Sequence, residues 1–238
     1  MTHPPILLTV DGRKIEARPG QTILEATDAA GVYIPRLCWM KGLLPFGSCR
    51  VCTVRVNGRP QAACTQPVAP GMVIENDTAE LRELRRDLID MLFVEGNHFC
   101  MVCAKSGNCE LQALAYRFGI TAPRYPFAFP QRVRDASHPA IVLDRDRCVL
   151  CARCVRASRS LDGKAVFGFE GRGPGKCIAV NAAEGLVATD ADAADRAVAA
   201  CPTGALMEKR VGFAVPVGQR LFDRAPIGSE TEPPAAEK

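Results

Sequence analysis

The sequence has 238 residues, of which 47% are hydrophobic, so it can bury a core as one large domain or as two to three small ones. Lysine and arginine exceed aspartate and glutamate by only 30 − 26 = 4, and without a clustered basic patch this excess does not indicate a nucleic-acid partner. No export signal opens the chain and no run approaches the ~20 apolar residues of a spanning helix. We therefore expect no membrane span and a cytoplasmic location.

The N-terminal part has the pattern of a small α+β domain. Asp11-Gly12 and Asn57-Gly58 suit the positive φ angles of tight hairpin turns. Thr22 and Glu25 have the spacing of a capping box, which predicts a short helix over residues 23–30. The predicted strands around these features are residues 6–10, 14–18, 53–56 and 61–64, with a further candidate at 72–75. Together they predict a β-grasp-like domain over residues 1–76.

Two helices are predicted in the next part of the chain, which we assign as a small helical domain over residues 77–119. Asp77 and Glu80 indicate a second helix start, and leucine and methionine residues then recur at helical spacing until Gly96. A further helix is predicted over residues 108–118, with Gly119 as its end.

The remaining chain is predicted to form a third domain over residues 120–215 and a C-terminal tail over residues 216–238. Residues 123–130 are rich in proline and aromatic side chains and are expected to be irregular. Residues 228–238 are rich in Pro, Glu and Ala, which is typical of disorder.

Twelve cysteines dominate the chemistry of the sequence. Six disulfides would suit a small secreted domain, but a chain without an export signal stays where thiols are reduced. Metal ligation is therefore the better interpretation.

The first group of cysteines has the spacing C-x10-C-x2-C-x11-C and comprises Cys38, Cys49, Cys52 and Cys64. Four thiolates are the number that a [2Fe-2S] cluster needs. A structural zinc would also accept four thiolates, although zinc sites usually have two close pairs and this group has one. The spacing favours the iron-sulfur cluster.

The second group comprises Cys100, Cys103 and Cys109, which leave a [4Fe-4S] cluster one ligand short. His98 is the nearest residue that can complete the set, because an imidazole can replace a thiolate on iron. The alternative is that His98 is a surface residue and the fourth ligand is water or lies elsewhere.

The third group comprises Cys148, Cys151 and Cys154, completed by the distant pair Cys201-Pro202. This arrangement follows the bacterial ferredoxin pattern for a [4Fe-4S] cluster and does not match the paired spacing of zinc sites. Nearby arginines could favour the more negative, reduced cluster, or could be a solvated helix face; they are Arg147, Arg153 and Arg156.

Cys177 is left without a group, and a small buried or idle thiol is its simplest interpretation. The glycine-rich run that precedes it lacks the order of a phosphate-binding loop, so we predict no nucleotide site and no catalytic residue in this chain.

The three groups in this order resemble the N-terminal iron-sulfur region shared by the complex I large iron-sulfur subunit, iron-only hydrogenases, some NAD-dependent formate dehydrogenases and the small diaphorase subunit of soluble NAD-reducing nickel-iron hydrogenases. The resemblance covers roughly residues 5–215. Members of this family place a histidine four residues before the first cysteine of the second group, where this chain has Gly96; its histidine is His98, two residues before.

Within the family, the length of the chain and the segments GNHFCMVCAKSGNCELQALAYRFG and LMEKRVGFAVPVGQR resemble the diaphorase subunit most closely. The resemblance implies an electron relay with one [2Fe-2S] and two [4Fe-4S] clusters. It also implies two kinds of partner, a flavin-containing NADH-binding subunit and the small and large subunits of a nickel-iron hydrogenase. The alternatives are the relay subunit of a formate dehydrogenase or complex I-like enzyme and, from a different class, a zinc-stapled interaction module.

Overall fold

The structure, a computed structural model, describes residues 4–232, and its N-terminal part is a five-stranded mixed sheet. The strands are β1 (Ile6–Val10), β2 (Arg13–Ala17), β3 (Thr53–Val56), β4 (Arg59–Ala62) and β5 (Val73–Glu75). Their order in the sheet is β2-β1-β5-β3-β4, in which β1 and β5 run parallel and the other neighbours run antiparallel. The strand predicted at 61–64 is therefore wrong by two residues, because the two-residue turn at Asn57-Gly58 lets β4 begin immediately at Arg59.

Helix α1 (Ile23–Ala29) packs on this sheet and confirms the predicted capping box. The Thr22 hydroxyl accepts from the Glu25 amide at 3.3 Å, and the Glu25 carboxylate accepts from the Thr22 amide at 2.8 Å. Ile23 and Leu24 are fully buried in the core between helix and sheet. The capping box and this packing fix the start of the loop from α1 to β3, which contains the first three cysteines.

Helix α2 (Ala79–Val94) begins one residue later than its predicted signal. Thr78, not Asp77, is the N-cap, and its hydroxyl accepts from the Leu81 amide at 3.2 Å. Asp77 instead forms a paired contact with Arg82, at 2.6 and 2.5 Å. Both Thr and Asp are good N-cap residues, so local sequence could not decide between adjacent positions.

Helix α3 (Glu110–Arg117) starts two residues after the predicted start, because Cys109 has the extended backbone of an N-cap residue. Gly119 follows its end with φ +64°, as predicted for a helix stop. Residues 123–130 form no helix or strand, which confirms the irregular segment predicted there.

The C-terminal part contains a three-stranded antiparallel sheet, a separate hairpin and two short helices. In chain order, the elements are β6 (Arg134–Asp135), β7 (Ile141–Asp144), α4 (Arg153–Ser160), β8 (Phe167–Glu170), β9 (Cys177–Val180), α5 (Arg196–Ala199) and β10 (Leu206–Glu208). The sheet has the order β10-β7-β6, and β8 and β9 form the hairpin. Cys154 and Cys201 lie in the hydrophobic core that these elements share, so the third cysteine group is built into the interior.

The last described residues are ordered and pack on the rest of the chain. Helix α6 (Leu221–Arg224) lies against the second cysteine loop, where the Phe222 amide donates to the Gly107 carbonyl at 2.9 Å. Further on, Arg117 donates to the Ile227 carbonyl at 3.0 Å and pairs with Glu232 at 2.9 Å. The disorder predicted for residues 228–238 is therefore wrong for residues 228–232. Composition alone could not reveal the contacts with Arg117 that order this segment. Residues 233–238 lie outside the described part of the chain.

The fold is mixed α and β, as predicted. Among residues 4–232, the structure contains no helix with the length and apolar character needed to cross a membrane.

Candidate iron-sulfur sites

The four cysteines of the first group converge beside the five-stranded sheet. Cys38 and Cys49 lie in the loop between α1 and β3, Cys52 directly precedes β3, and Cys64 follows β4. The Cys38 amide donates to the Cys49 sulfur at 3.4 Å. Hydrogen bonds from the Cys49 and Cys64 thiols lower the pKa of Cys38, and a hydrogen bond from Cys64 lowers the pKa of Cys52. The thiols of Cys49 and Cys52 are thus each linked by hydrogen bonds to the pair Cys38 and Cys64 or to one member of it.

The three cysteines of the second group lie in the loop between α2 and α3, and the partly buried His98 precedes them in the same loop. His98 packs edge-on against Phe93, with 5.5 Å between ring centroids. Among the residues that the structure describes, its Nε2 is buried without a hydrogen-bond partner. A Cβ on Gly96 would lie 2.6 Å from that nitrogen, so a side chain at position 96 would collide with the His98 ring. His98 thus occupies the space next to the position where the family has its histidine.

The third group closes around one interior cavity, which is lined by Cys148, Cys151, Cys154 and Cys201. Two amides donate to these sulfurs at 3.4 Å, Leu150 to Cys148 and Leu206 to Cys201. The structure therefore brings Cys201 from a distant part of the chain to the other three. Such amide-to-sulfur bonds favour the thiolate and are one of the means by which a protein tunes a cluster.

Left-handed backbone conformations mark the cysteine loops. Arg50, between the close pair of the first group, has φ +60°, and Leu150 and Ala152 on either side of Cys151 have φ +50° and +59°. Such angles are unfavourable for residues other than glycine and persist only where the surroundings enforce them. At Leu150, the residue in this conformation donates its own amide to the Cys148 sulfur.

The second and third groups meet through residues next to their cysteines. The Arg147 guanidinium lies 3.5 Å from the Cys103 sulfur, and a Cβ on Gly204 would lie 2.8 Å from that sulfur. The Glu110 amide, at the start of α3, donates to the carbonyl of Pro202 at 2.9 Å. Gly204 is needed here because any side chain would push the two groups apart.

The first and third groups are joined by Arg156. Its Nη2 donates to the Cys38 carbonyl at 2.6 Å and to the Cys151 carbonyl at 3.3 Å, and its Nη1 donates to the Leu44 carbonyl. One guanidinium thus bridges the backbones of two cysteines from different groups. Of the three arginines predicted near the third group, Arg153 is 4% exposed and therefore does not belong to a solvated face.

The donor chemistry of all three groups fits iron-sulfur clusters. Burial raises the pKa of the Cys109 and Cys151 thiols to about 12, so these sulfurs stay protonated unless a cation compensates them. Coordination to iron supplies that compensation and deprotonates the thiol. Within residues 4–232, no set of three or more His, Cys, Asp or Glu side chains is arranged to hold a single metal ion.

Three family models match the chain in the order of the three groups. They are a 2Fe-2S iron-sulfur cluster binding domain over residues 3–79, the NADH-ubiquinone oxidoreductase-G iron-sulfur binding region over residues 85–124, and a 4Fe-4S single cluster domain over residues 141–207. The chain therefore contains a 2Fe-2S domain followed by 4Fe-4S binding regions.

A full-length relative decides the family. The gamma subunit of the NAD-reducing hydrogenase HoxS of Cupriavidus necator is 42% identical over 219 residues, which are 92% of this chain and 93% of that protein. This chain belongs to the HoxS gamma family. The resemblance predicted from the cysteine groups is thereby confirmed.

A solved structure agrees with membership of the HoxS gamma family. A chain in the crystal structure of an NAD+-reducing [NiFe]-hydrogenase in the H2-reduced state superposes with a TM-score of 0.91 at 48% identity, covering 95% of this chain and 96% of that one.

Longer relatives share only the iron-sulfur region with this chain. The alpha subunit of the NADPH-Fe(3+) oxidoreductase of Geobacter sulfurreducens is 33% identical over 87% of this chain. The mitochondrial NADH-ubiquinone oxidoreductase 78 kDa subunit of Candida albicans is also 33% identical over 87% of this chain. This chain spans 24% of the first protein and 29% of the second.

Cys177 stands apart from all three groups in this HoxS gamma chain. It begins β9, it is partly exposed, and its thiol donates to the Glu170 carboxylate at 3.1 Å. Sequence reasoning found every cysteine that the structure gathers and named the arginines beside the third group. It missed that these arginines connect the groups, because their partners are distant in sequence.

Proposed function

We propose that this chain is the iron-sulfur electron-transfer subunit of an NAD-reducing hydrogenase, where it relays electrons between a nickel-iron hydrogenase module and a flavin-bearing, NAD(H)-binding diaphorase subunit. The observation that carries the proposal is that three cysteine groups within one chain of the HoxS gamma family are linked to one another by hydrogen bonds of the arginines beside them. Contacts through Arg156 and Arg147 place each group beside the next. Adjacent redox centres are what a relay requires.

The proposed cofactors are one [2Fe-2S] cluster and two [4Fe-4S] clusters. The [2Fe-2S] ligands are Cys38, Cys49, Cys52 and Cys64, the first [4Fe-4S] ligands are His98, Cys100, Cys103 and Cys109, and the second [4Fe-4S] ligands are Cys148, Cys151, Cys154 and Cys201. The proposed domains are a β-grasp ferredoxin-like domain (1–76), a His/Cys3-ligated domain (77–119), a bacterial-ferredoxin-like domain (120–215) and a C-terminal tail (216–238).

Clusters bound at these sites would supply one-electron chemistry, and the chain's own residues determine where and how easily it occurs. Amide donors to the sulfurs of Cys49, Cys148 and Cys201 favour negative charge, whereas burial opposes it. Each ligand set is complete with four protein groups, so no coordination position is left for a substrate. We therefore expect the chain by itself to be inactive toward hydrogen and toward NADH.

The proposed partners are the flavin-containing NADH-binding subunit and the small and large subunits of the nickel-iron hydrogenase, in the cytoplasm. No nucleic-acid partner is proposed. The second candidate function, the relay subunit of a formate dehydrogenase or complex I-like enzyme, is favoured by the 33% identity to the iron-sulfur regions of the longer relatives.

Two measurements test the proposal. Anaerobically purified chain should contain about ten irons, from 2 + 4 + 4, with matching sulfide. Two or more zinc atoms per chain would support the zinc-stapled module instead.

The native complex should reduce NAD with hydrogen as donor. Formate-dependent activity with a molybdenum partner, and none with hydrogen, would overturn the hydrogenase assignment and leave the relay role in place.

A further inference from the structure

Arg153 is buried at the point where the three cysteine groups meet. It is the first residue of α4, it lies between Cys151 and Cys154 in sequence, and it is 4% exposed. Its Nη1 and Nη2 donate to the two Glu110 carboxylate oxygens at 2.5 and 2.7 Å, and Nη2 also donates to the Trp39 carbonyl at 2.8 Å.

Each partner of Arg153 is next to a cysteine of a different group. Trp39 follows Cys38 of the first group, and Glu110 follows Cys109 of the second. One guanidinium therefore connects all three groups through residues that adjoin ligands. Arg156 and Arg147 each connect only two groups.

The two charges of this pair belong to different groups: the guanidinium to the residue between Cys151 and Cys154, and the carboxylate to the residue after Cys109. Arginine stays protonated in proteins, so the positive end is permanent and lies within the ligand segment of the third group. The negative end is the Glu110 carboxylate beside Cys109. Because reduction adds a negative charge to a cluster, a nearby cation favours it and a nearby anion opposes it. The buried side chain of Arg153 is weakly screened by water.

We propose that the Arg153–Glu110 pair is a positioning device that holds the three cysteine groups together and sets the difference in reduction potential between the third-group and second-group clusters. This inference rests on the proposed function, since it requires clusters at both groups. The pair raises the potential of the third-group cluster and lowers that of the second-group cluster.

The test compares three variants of the full chain, purified anaerobically with its clusters: Arg153→Gln, Glu110→Gln, and Arg124→Gln as a control. Arg124 also connects two segments by ion pairs, to Glu83, Asp87 and Asp90 on α2, and none of its ion pairs within residues 4–232 involves a cysteine loop. Iron content is measured first, and the potential of each cluster is then measured by redox titration monitored by electron paramagnetic resonance.

Arg153→Gln should make the third-group potential more negative, and Glu110→Gln should make the second-group potential more positive. We expect each equilibrium constant for reduction to change at least tenfold, which is about 59 mV for a one-electron couple. The proposal would be overturned if the third-group potential in Arg153→Gln and the second-group potential in Glu110→Gln shifted in the same direction. It would also be overturned if these two shifts were no larger than those in Arg124→Gln. If Arg153→Gln fails to assemble, Glu110→Gln decides alone, since its side chain is 29% exposed and the amide oxygen still accepts from Arg153.

A fourth variant separates charge from geometry. Arg153→Lys keeps the cation but cannot span the Glu110 carboxylate and the Trp39 carbonyl together. Its potentials should stay near those of the wild type, while amide hydrogen exchange in the loop after Trp39 increases. If the potentials of Arg153→Lys match those of Arg153→Gln, charge is not the cause and the proposal fails. Wild-type chain without two [4Fe-4S] signals would refute the proposed function itself, and the inference with it.

Discussion

Arg85 on α2 is the buried cation whose removal tests how the first cysteine group is held in place. It is 1% exposed and has no carboxylate partner among the described residues. It donates to the carbonyls of Val51, Thr53 and Asn76 at 3.2, 2.9 and 2.8 Å, and to the Asn76 side chain at 2.8 Å. Val51 and Thr53 flank Cys52, so this one side chain holds the segment that contains Cys52 against α2.

Arg85→Met keeps most of the buried volume and removes all four hydrogen bonds. A buried acceptor that loses its donor costs about 1–3 kcal/mol, so the four acceptor atoms imply a loss of about 4 kcal/mol at the low end. With a urea m-value of about 1–3 kcal/mol/M, the unfolding midpoint should fall by about 1–4 M. Such a loss is a large part of the stability of a typical domain.

The assay follows cluster absorbance and far-ultraviolet circular dichroism along one urea titration, because a metal-bound chain need not unfold in a single step. The [2Fe-2S] signal should be lost first in Arg85→Met. The matched control is Arg82→Met on the same helix, whose exposed ion pair with Asp77 should contribute little. Equal midpoints for the two variants would refute the structural role assigned to Arg85.

Three further predictions concern the cluster ligands and α1. Cys177→Ser should leave iron content and both [4Fe-4S] signals unchanged, whereas Cys201→Ser should remove one signal; loss in the former would mean that a ligand is misassigned. His98→Ala should perturb only the second cluster, and His98→Cys should retain iron at a lower potential, since a thiolate adds negative charge; wild-type behaviour of both would place the fourth ligand elsewhere. Thr22→Ala removes the N-cap of α1 and should cost about 1 kcal/mol in chemical denaturation, and an unchanged midpoint would contradict the capping role.

Features encoded within a few residues could be predicted from the sequence. The turns at Asp11-Gly12 and Asn57-Gly58 require positive φ, which they have, and these two dipeptides correctly located two hairpins. The Thr22 capping box is present with both of its hydrogen bonds. Cysteine spacing also assigned the chain to its family, because a cluster fixes ligand number and therefore leaves a strong pattern.

Features that depend on distant partners could not be predicted. Helical periodicity places charged side chains on the outside, yet Arg85 and Asp90 of α2 are both 1% exposed. Asp90 is buried because its carboxylate accepts from the Arg124 amide at 2.7 Å, a contact 34 residues away in sequence. The ordered C-terminal residues were missed for the same reason, since Arg117 supplies their hydrogen bonds.

The contacts between the three cysteine groups show how a relay can be tuned without changing its ligands. Arg156 and Arg153 act on the Cys38 and Trp39 carbonyls, and Glu110 adjoins Cys109 without being a ligand. Substitution of one of the proposed cysteine ligands should remove a cluster outright, whereas substitution of such a neighbour should leave the proposed ligand set complete and alter the surrounding charge. Differences in potential among related chains should therefore originate in residues adjacent to the ligands, where the sequence can vary without loss of iron.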